Sequence, residues 1–208
     1  MSSKPYFTVR VTAAVLLILL ALPNGLWAAD EHAHHRHSLH AASTVSRSEV
    51  AVALPAVSLR NQDGVSAAFP ALVDDGRPVL LNFIYTSCTA ICPPMTRIFA
   101  EVREGLGADR GRVRLVSVSI DPEQDTPARL KAYARQYGAG VGGDWLFLTG
   151  SDAASSAVQR AFNAYRPDKM GHTPVSFLRR APGQPWVRLD GLAQAERILA
   201  ELRPMLAR

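Results

Sequence analysis

Residues 78–95, PVLLNFIYTSCTAICPPM, predict a buried strand, a turn and the start of a helix. The run from Pro78 to Tyr85 is apolar almost throughout, which is typical of a central strand buried on both faces. After Pro93 the apolar residues recur at helical spacing, and proline suits the first turn of a helix. Cys88 and Cys92 therefore stand at a strand-to-helix junction.

Strand and helix patterns alternate through the rest of the chain as well. An Asp-Gly turn at residues 61–64 indicates a hairpin near the start of this region. The predicted strands cover 113–121 and 145–150, the predicted helices 126–137, 151–165 and 192–206, and the predicted hairpins 55–69 and 174–190. Such alternation predicts an α/β fold, a three-layer α/β/α sandwich with a partly parallel sheet and an N-terminal β-hairpin extension.

The composition is that of a globular protein of ordinary polarity. Of 208 residues, 48% are apolar and 20% are charged, which excludes a mainly disordered chain. The net charge of +5 comes without a block of lysine and arginine, so we expect no nucleic-acid binding. Two cysteines are too few for a disulfide-stapled scaffold.

The first 29 residues are typical of a targeting segment. Lys4 and Arg10 precede a 12-residue apolar core, Val11–Leu22, and small residues follow at the end of the segment. This pattern predicts that residues 1–29 are a signal peptide or a membrane anchor. We therefore expect an exported, periplasmic protein that is either soluble or anchored to the inner membrane.

Residues 30–54 lack apolar periodicity and predict a flexible linker before a folded domain at 55–208. The linker contains five of the six histidines: His32, His34, His35, His37 and His40. Imidazole binds Cu(II), Zn(II) and Ni(II), so the tract could collect metal loosely. A solvated spacer is an equally good interpretation.

Cys88 and Cys92 are the most informative pair in the sequence. If the residues between them are helical, both thiols lie on one face at a separation that a disulfide tolerates. A helix N-terminus also stabilises thiolates. The pair could therefore exchange disulfides or bind a soft metal, while a purely structural disulfide would close too short a loop to add much stability.

His172 is the only histidine in the predicted domain, where it precedes a strand. A lone histidine is more often structural than a ligand. Together with two thiolates, however, it would complete a three-coordinate site, which suits Cu(I) better than structural Zn(II). Met95 and Met170 are further soft side chains, but Met95 fits the helix core pattern and we expect neither to be a ligand.

These motifs together resemble the SCO/SenC family of copper chaperones, which has a thioredoxin-like fold. The resemblance runs over about residues 55–205, and its motifs are NFIYTSC, CTAICPP, SIDPEQDTP and HTPVSFL. It implies that Cys88, Cys92 and His172 bind copper as Cu(I) or Cu(II), with Asp121 at the family's acidic position nearby. Gly171 stands where the family usually has an acidic residue, and Thr-Ala-Ile separates the cysteines.

Two functions of different classes follow. The resemblance implies a non-enzymatic metallochaperone that delivers copper to the CuA site of cytochrome c oxidase subunit II or to another copper enzyme. The alternative is a thiol-disulfide oxidoreductase that reduces the cysteines of a periplasmic client, with Cys88 as the attacking and Cys92 as the resolving thiol. The three-residue spacer is the feature against a pure reductase, because C-x-x-C is the usual redox spacing.

Overall fold

The computed structural model describes residues 45–140 and 143–207. An eight-stranded sheet runs through this region in the order β1-β8-β7-β4-β5-β6-β2-β3. The strands are β1 Ser46–Val50, β2 Ser58–Asn61, β3 Ser66–Ala68, β4 Val79–Ile84, β5 Arg114–Ser119, β6 Trp145–Thr149, β7 Val175–Arg179 and β8 Trp186–Asp190. The helices are α1 Phe69–Val73, α2 Cys92–Gly105, α3 Pro127–Gln136, α4 Asp152–Ala161 and α5 Ala195–Leu206. Two 3₁₀ turns cover Gly107–Arg112 and Lys169–Gly171.

The alternation of side chains along β4 produces the three layers. All six residues of β4 are buried, and its five apolar residues divide between two separate apolar clusters. Leu80 and Ile84 face the cluster that contains side chains from α2, α3 and α5, whereas Leu81 and Phe83 face the cluster with α1 and α4. Successive strand side chains point to opposite faces, so a central strand is apolar at nearly every position. The exception is Asn82, which accepts a hydrogen bond from the Ser117 hydroxyl. The predicted α/β/α sandwich is confirmed.

The sheet is mixed, as predicted. Strands β4, β5 and β6 are parallel, while β7 and β8 form an antiparallel hairpin that joins β4 on its other side. The predicted N-terminal hairpin is β2–β3, which extends the sheet beyond β6. Gly64 adopts a φ of 84° in its turn, and the Asn61 side chain accepts hydrogen bonds from two backbone N–H groups there.

Helices α2 and α5 pack closely on one face of the sheet. A Cβ atom at Gly105 would lie 2.6 Å from the end of the Leu199 side chain of α5, so a larger residue would require that side chain to move. Thr126 and Ser151 cap α3 and α4, each accepting a hydrogen bond from a backbone N–H. Together the two faces bury enough apolar surface for a stable core.

Two boundaries differ from the sequence prediction. Residues 46–50 fall within the predicted linker but form β1, which pairs antiparallel with β8; residues 30–44 lie outside the described residues. Most of β1 is exposed, because backbone pairing stabilises this edge strand without an apolar pattern. Helix α4 ends at Ala161 instead of extending to about residue 165, since Asn163 adopts a left-handed φ of 49°.

Candidate metal and thiol site

The candidate site lies at one edge of the sheet, where three segments meet. Strands β4 and β5 are parallel, so the loops that follow Ile84 and Ser119 emerge at the same edge. Strand β7 is antiparallel to β4, with Asn82 opposite Ser176, and therefore begins at that edge. The topology thus brings the cysteine loop, the β5–α3 loop and the segment before β7 next to one another.

Cys88 and Cys92 occupy different backbone environments. Helix α2 begins at Cys92, while Cys88 lies in the preceding loop, so the predicted helical spacing of the two thiols is wrong. The Cys88 N–H donates to the Tyr85 carbonyl at 3.2 Å, which turns the chain back toward the helix. Both side chains are free thiols; Cys92 is fully buried and Cys88 retains 7% of its surface exposed.

The pKa of the Cys88 thiol lies below its ordinary value. Burial would raise this pKa, but hydrogen bonds from the backbone N–H groups of Cys92 and Ala90, the Cys92 thiol and the Tyr85 hydroxyl outweigh burial. The two N–H groups belong to the entry of α2, where unpaired donors and the helix dipole favour an anion. Cys88 is therefore the thiol that ionises first.

The pKa of the Cys92 thiol is strongly raised. Burial is the main cause, and the negative charges that develop at Cys88 and Asp125 add to it. An N–H···S hydrogen bond from the Tyr85 backbone offsets only part of this effect. The pair thus combines one thiol poised to ionise with one that keeps its proton, and the two share a hydrogen bond.

Asp125 holds the loop that contains Cys88 in place through hydrogen bonds. Its carboxylate is fully buried and accepts hydrogen bonds from the backbone N–H and the hydroxyl of Thr86, two residues before Cys88. The Ser119 hydroxyl donates to the same carboxylate at 2.6 Å. Sequence reasoning did not single out Asp125, because a carboxylate among Pro, Thr and other acids in a turn gives no sign of burial.

Asp121 connects the β5–α3 loop to the segment before β7. The Asp121 carboxylate accepts a hydrogen bond from Lys169 Nζ at 2.7 Å, and its backbone N–H donates to the Ser119 hydroxyl. The resemblance implied an acidic residue at this position near the site, and the structure places it there as an ion-pair partner. Lys169 lies in the short turn three residues before His172.

Tyr85 bridges two sulfur atoms. Its hydroxyl lies 3.6 Å from Met170 Sδ, to which it donates, and it donates instead to the Cys88 sulfur when that thiol ionises, since a hydroxyl has a single proton. Burial, followed by the hydrogen bond to Cys88, raises the pKa of Tyr85 to about 12. The hydroxyl therefore keeps its proton at neutral pH and remains a donor. Neither Tyr85 nor Met170 was predicted to take part in the site.

His172 is buried and hydrogen-bonded on one side of its ring. Nε2 lies 3.0 Å from the carbonyl oxygen of Phe83, which only accepts, so Nε2 carries the proton and Nδ1 carries the lone pair. Burial is the main reason that the pKa of His172 is lowered. A neutral imidazole whose second nitrogen donates to a backbone carbonyl is the form in which histidine binds metals.

The predicted site residues are therefore brought to one edge but not into one cluster. Cys88 and Cys92 contact each other. His172, on the segment before β7, lies instead against Phe83 of β4. Within residues 45–140 and 143–207, no three His, Cys, Asp or Glu side chains are grouped closely enough to hold a metal ion. The histidines at 32–40 lie outside the described residues.

Comparison with known proteins decides the family. The sequence profile of the SCO1/SenC family matches residues 57–207, which is most of the chain. The chain belongs to the SCO1/SenC family. The resemblance noted in the sequence and the predicted thioredoxin-like fold are both confirmed.

Individual relatives support this assignment. A SCO1 protein homolog from Bacillus subtilis (strain 168) is 40% identical over 93 residues, 45% of this chain and 47% of that protein. The structure of Bradyrhizobium japonicum ScoI with copper bound is 28% identical, with a TM-score of 0.60 over 72% of this chain and 96% of that chain. BsSco, described as a member of the Sco family of cytochrome c oxidase assembly proteins, is 28% identical, with a TM-score of 0.63 over 76% and 95%.

The matches have different extents. This SCO1/SenC chain spans about half the length of the B. subtilis relative, although it covers nearly all of the solved Sco chains. In the part of the chain that the structure describes, no helix has the length and apolar character needed to cross a membrane. The predicted targeting segment, residues 1–29, lies outside that part.

Proposed function

We propose that this SCO1/SenC protein is a metallochaperone that binds one copper ion through Cys88, Cys92 and His172. The observation that carries the proposal is the contact between two inequivalent thiols at the entry of α2, beside a neutral histidine at the same sheet edge. The Bradyrhizobium relative whose structure contains copper adds support. Copper is the cargo in this account.

The donor set suits Cu(I) in particular. Thiolates are soft ligands and Cu(I) accepts a coordination number of three, whereas structural zinc requires four ligands. Cys88 loses its proton more readily than Cys92 because its pKa is lower. Copper binding then displaces the proton of Cys92. Both cysteines must be reduced for this to happen, so the redox state of the pair controls loading.

His172 is the third proposed ligand and lies on the segment before β7, at the same sheet edge as the cysteine loop. Its ring is oriented by the Phe83 carbonyl on rigid β4, which leaves Nδ1 as the nitrogen that binds. The Lys169–Asp121 ion pair ties the segment before His172 to the β5–α3 loop, which lies at the same sheet edge as the cysteine loop.

Delivery follows by ligand exchange with the thiolates of a client. We infer that the client is the CuA site of cytochrome c oxidase subunit II or a comparable copper enzyme. BsSco, a structural relative, is named as one of the cytochrome c oxidase assembly proteins. We also propose that residues 1–29 direct export, so that the folded part acts in the periplasm, either soluble or anchored.

A second candidate function is thiol-disulfide exchange with the same client. The observation that favours it is the difference between the thiols, because a more exposed Cys88 with a lowered pKa and a buried Cys92 match an attacking and a resolving thiol. In this function the thiolate of Cys88 attacks a client disulfide, and Cys92 then displaces the reduced client while a disulfide forms between the two cysteines.

A transfer experiment separates the two functions. The Cu(I)-loaded protein is mixed with the reduced, metal-free CuA domain of oxidase subunit II, and copper is measured on each protein after separation. The metal-free, reduced protein is mixed in parallel with the disulfide form of that domain. A chaperone loses copper to the client, and His172→Ala impairs this step while sparing disulfide reduction. Reduction without copper transfer would establish the reductase instead.

A further inference from the structure

Met170 is an exposed methionine without a role in the core. Its side chain is 75% exposed, and among residues 45–140 and 143–207 only Val65 is another large apolar side chain that is mostly exposed. Val65 lies in the turn between β2 and β3, at one end of the sheet, whereas Met170 precedes His172 by two residues. Packing therefore gives no reason for a thioether at this position.

The backbone around Met170 is held in place. Asp168 Oδ1 accepts a hydrogen bond from the Met170 N–H at 2.9 Å and caps the 3₁₀ turn Lys169–Gly171. Lys169 pairs with the buried Asp121 at 2.7 Å. The thioether is thus presented to solvent on an anchored turn.

The sulfur atom of Met170 contacts Tyr85, which in turn interacts with Cys88. Met170 Sδ lies 3.6 Å from the Tyr85 hydroxyl, and the same hydroxyl is hydrogen-bonded to the Cys88 thiol. One hydroxyl oxygen therefore contacts both sulfur atoms, and one side of this arrangement is the exposed surface of Met170. A thioether is neutral and polarizable, and soft sulfur ligands select Cu(I) among biological metals.

We propose that Met170 is an additional Cu(I) ligand at the solvent side of the Cys88–Cys92 pair. The proposal rests on the copper-binding function above and adds a residue to it. An incoming Cu(I) ion forms a bond to Met170 Sδ in place of the Tyr85 hydroxyl contact, and bonds to the two cysteines then form. The thiol protons leave to solvent, and copper remains Cu(I) throughout, so no oxidant or reductant is required.

Methyl NMR on the full chain tests this assignment. The protein is labelled with [¹³C-methyl]methionine, reduced, and titrated with Cu(I) supplied as its acetonitrile complex. Met95 and Met205 serve as internal controls, because Met95 is buried in the helix core and Met205 lies in α5. The Met170→Leu variant assigns the resonance and preserves an apolar side chain of similar size.

The expected result is a shift of the Met170 methyl resonance on binding of one equivalent of Cu(I), with the Met95 and Met205 resonances unmoved. Cu(I) capture from a competing chelator should be slower in Met170→Leu than in Met205→Leu. If the protein binds copper through its cysteines while the Met170 resonance does not move, this inference is overturned and the chaperone proposal stands. If Cys88→Ser and Cys92→Ser change no copper binding, the chaperone proposal itself fails.

Discussion

The carboxylate of Asp125 accepts hydrogen bonds from both the backbone N–H and the hydroxyl of Thr86. This contact joins the β5–α3 loop to the loop that contains Cys88, across 39 residues of sequence. Ser119 donates to the same carboxylate, so a single buried anion organises the ends of two parallel strands. The position of Cys88 therefore depends on Asp125, which is not one of the proposed copper ligands.

Replacing Asp125 should loosen the cysteine loop. In Asp125→Ala the Thr86 N–H and two hydroxyl groups lose their acceptor, and a buried unsatisfied donor costs about 1–3 kcal/mol. We expect a lower urea midpoint and faster amide exchange at Thr86. Glu123→Gln is the matched control, since Glu123 lies exposed in the same loop. Equal stability of both variants would show that the carboxylate does not hold the loop.

The two thiols should react at very different rates. Because hydrogen bonds at the entry of α2 lower the pKa of Cys88 while burial raises that of Cys92, Cys88 ionises at a lower pH than Cys92. Iodoacetamide should modify the reduced Cys92→Ser variant quickly and the Cys88→Ser variant slowly, as followed by mass spectrometry. Since the thiolate is the reactive form, the rate of Cys88 alkylation should fall only when the pH is below the ordinary pKa of a thiol. Comparable rates for the two variants would contradict the proposed division of roles.

The buried pair of Arg103 and Asp144 should make stability depend on pH. Burial alone would raise the pKa of Asp144, but the Arg103 guanidinium, 2.7 Å away, lowers it below the ordinary value. Its contribution is therefore present above the carboxyl pKa of the unfolded chain, about 3.9, and is lost as pH falls through the lower folded value.

Asp144→Asn is expected to destabilise the protein by about 3–5 kcal/mol near pH 7, because it removes the buried negative charge that Arg103 and Arg110 share. The difference from the unchanged protein should shrink in strongly acidic solution, as measured by urea unfolding at a series of pH values. Asp109→Asn is the control, since the Asp109–Arg112 pair is half exposed and such pairs contribute about 0–1 kcal/mol. Equal losses in both variants would refute the role of the buried pair.

Residues 46–50 should stabilise the folded part although the sequence predicts a linker there. β1 pairs with β8 along five residues, and Arg47 forms an ion pair with Glu201 of α5. A fragment of residues 55–208 should therefore unfold at a lower temperature than residues 46–208, with a loss on the order of 1–3 kcal/mol from the missing backbone pairing. The control fragment, residues 40–208, should match 46–208. A midpoint unchanged by loss of β1 would mean that the strand adds no stability.

Apolar periodicity accounts for what the sequence predicts well. β4 is apolar at five of its six positions because both of its faces are buried, and the buried residues of α2 recur at helical spacing. Both elements are therefore evident in the sequence. β1 shows no such pattern because backbone pairing alone holds it. The helical spacing assumed for Cys88 and Cys92 fails because the loop before α2 bends at Tyr85.

The polar contacts of the site are harder to predict, because they join residues that are distant in the sequence. Asp125 is buried by tertiary hydrogen bonds to Thr86 and Ser119, and nothing in its local sequence distinguishes it from the exposed Glu123. The contact between Tyr85 and Met170 joins residues 85 positions apart. Such pairings depend on strand order and register, which a single sequence specifies only through the complete fold.

The central claim is that Cys88, Cys92 and His172 hold one copper ion. The most direct test is a Cu(I) titration of reduced residues 46–208 against a competing chelator, with and without His172→Ala. This fragment retains β1 and omits the histidine tract. The account predicts one equivalent bound with nanomolar or tighter affinity, on the order of −12 kcal/mol, and weaker binding in a folded His172→Ala variant. Identical affinity with and without His172 would contradict the three-ligand site, and absence of tight binding would contradict the chaperone function.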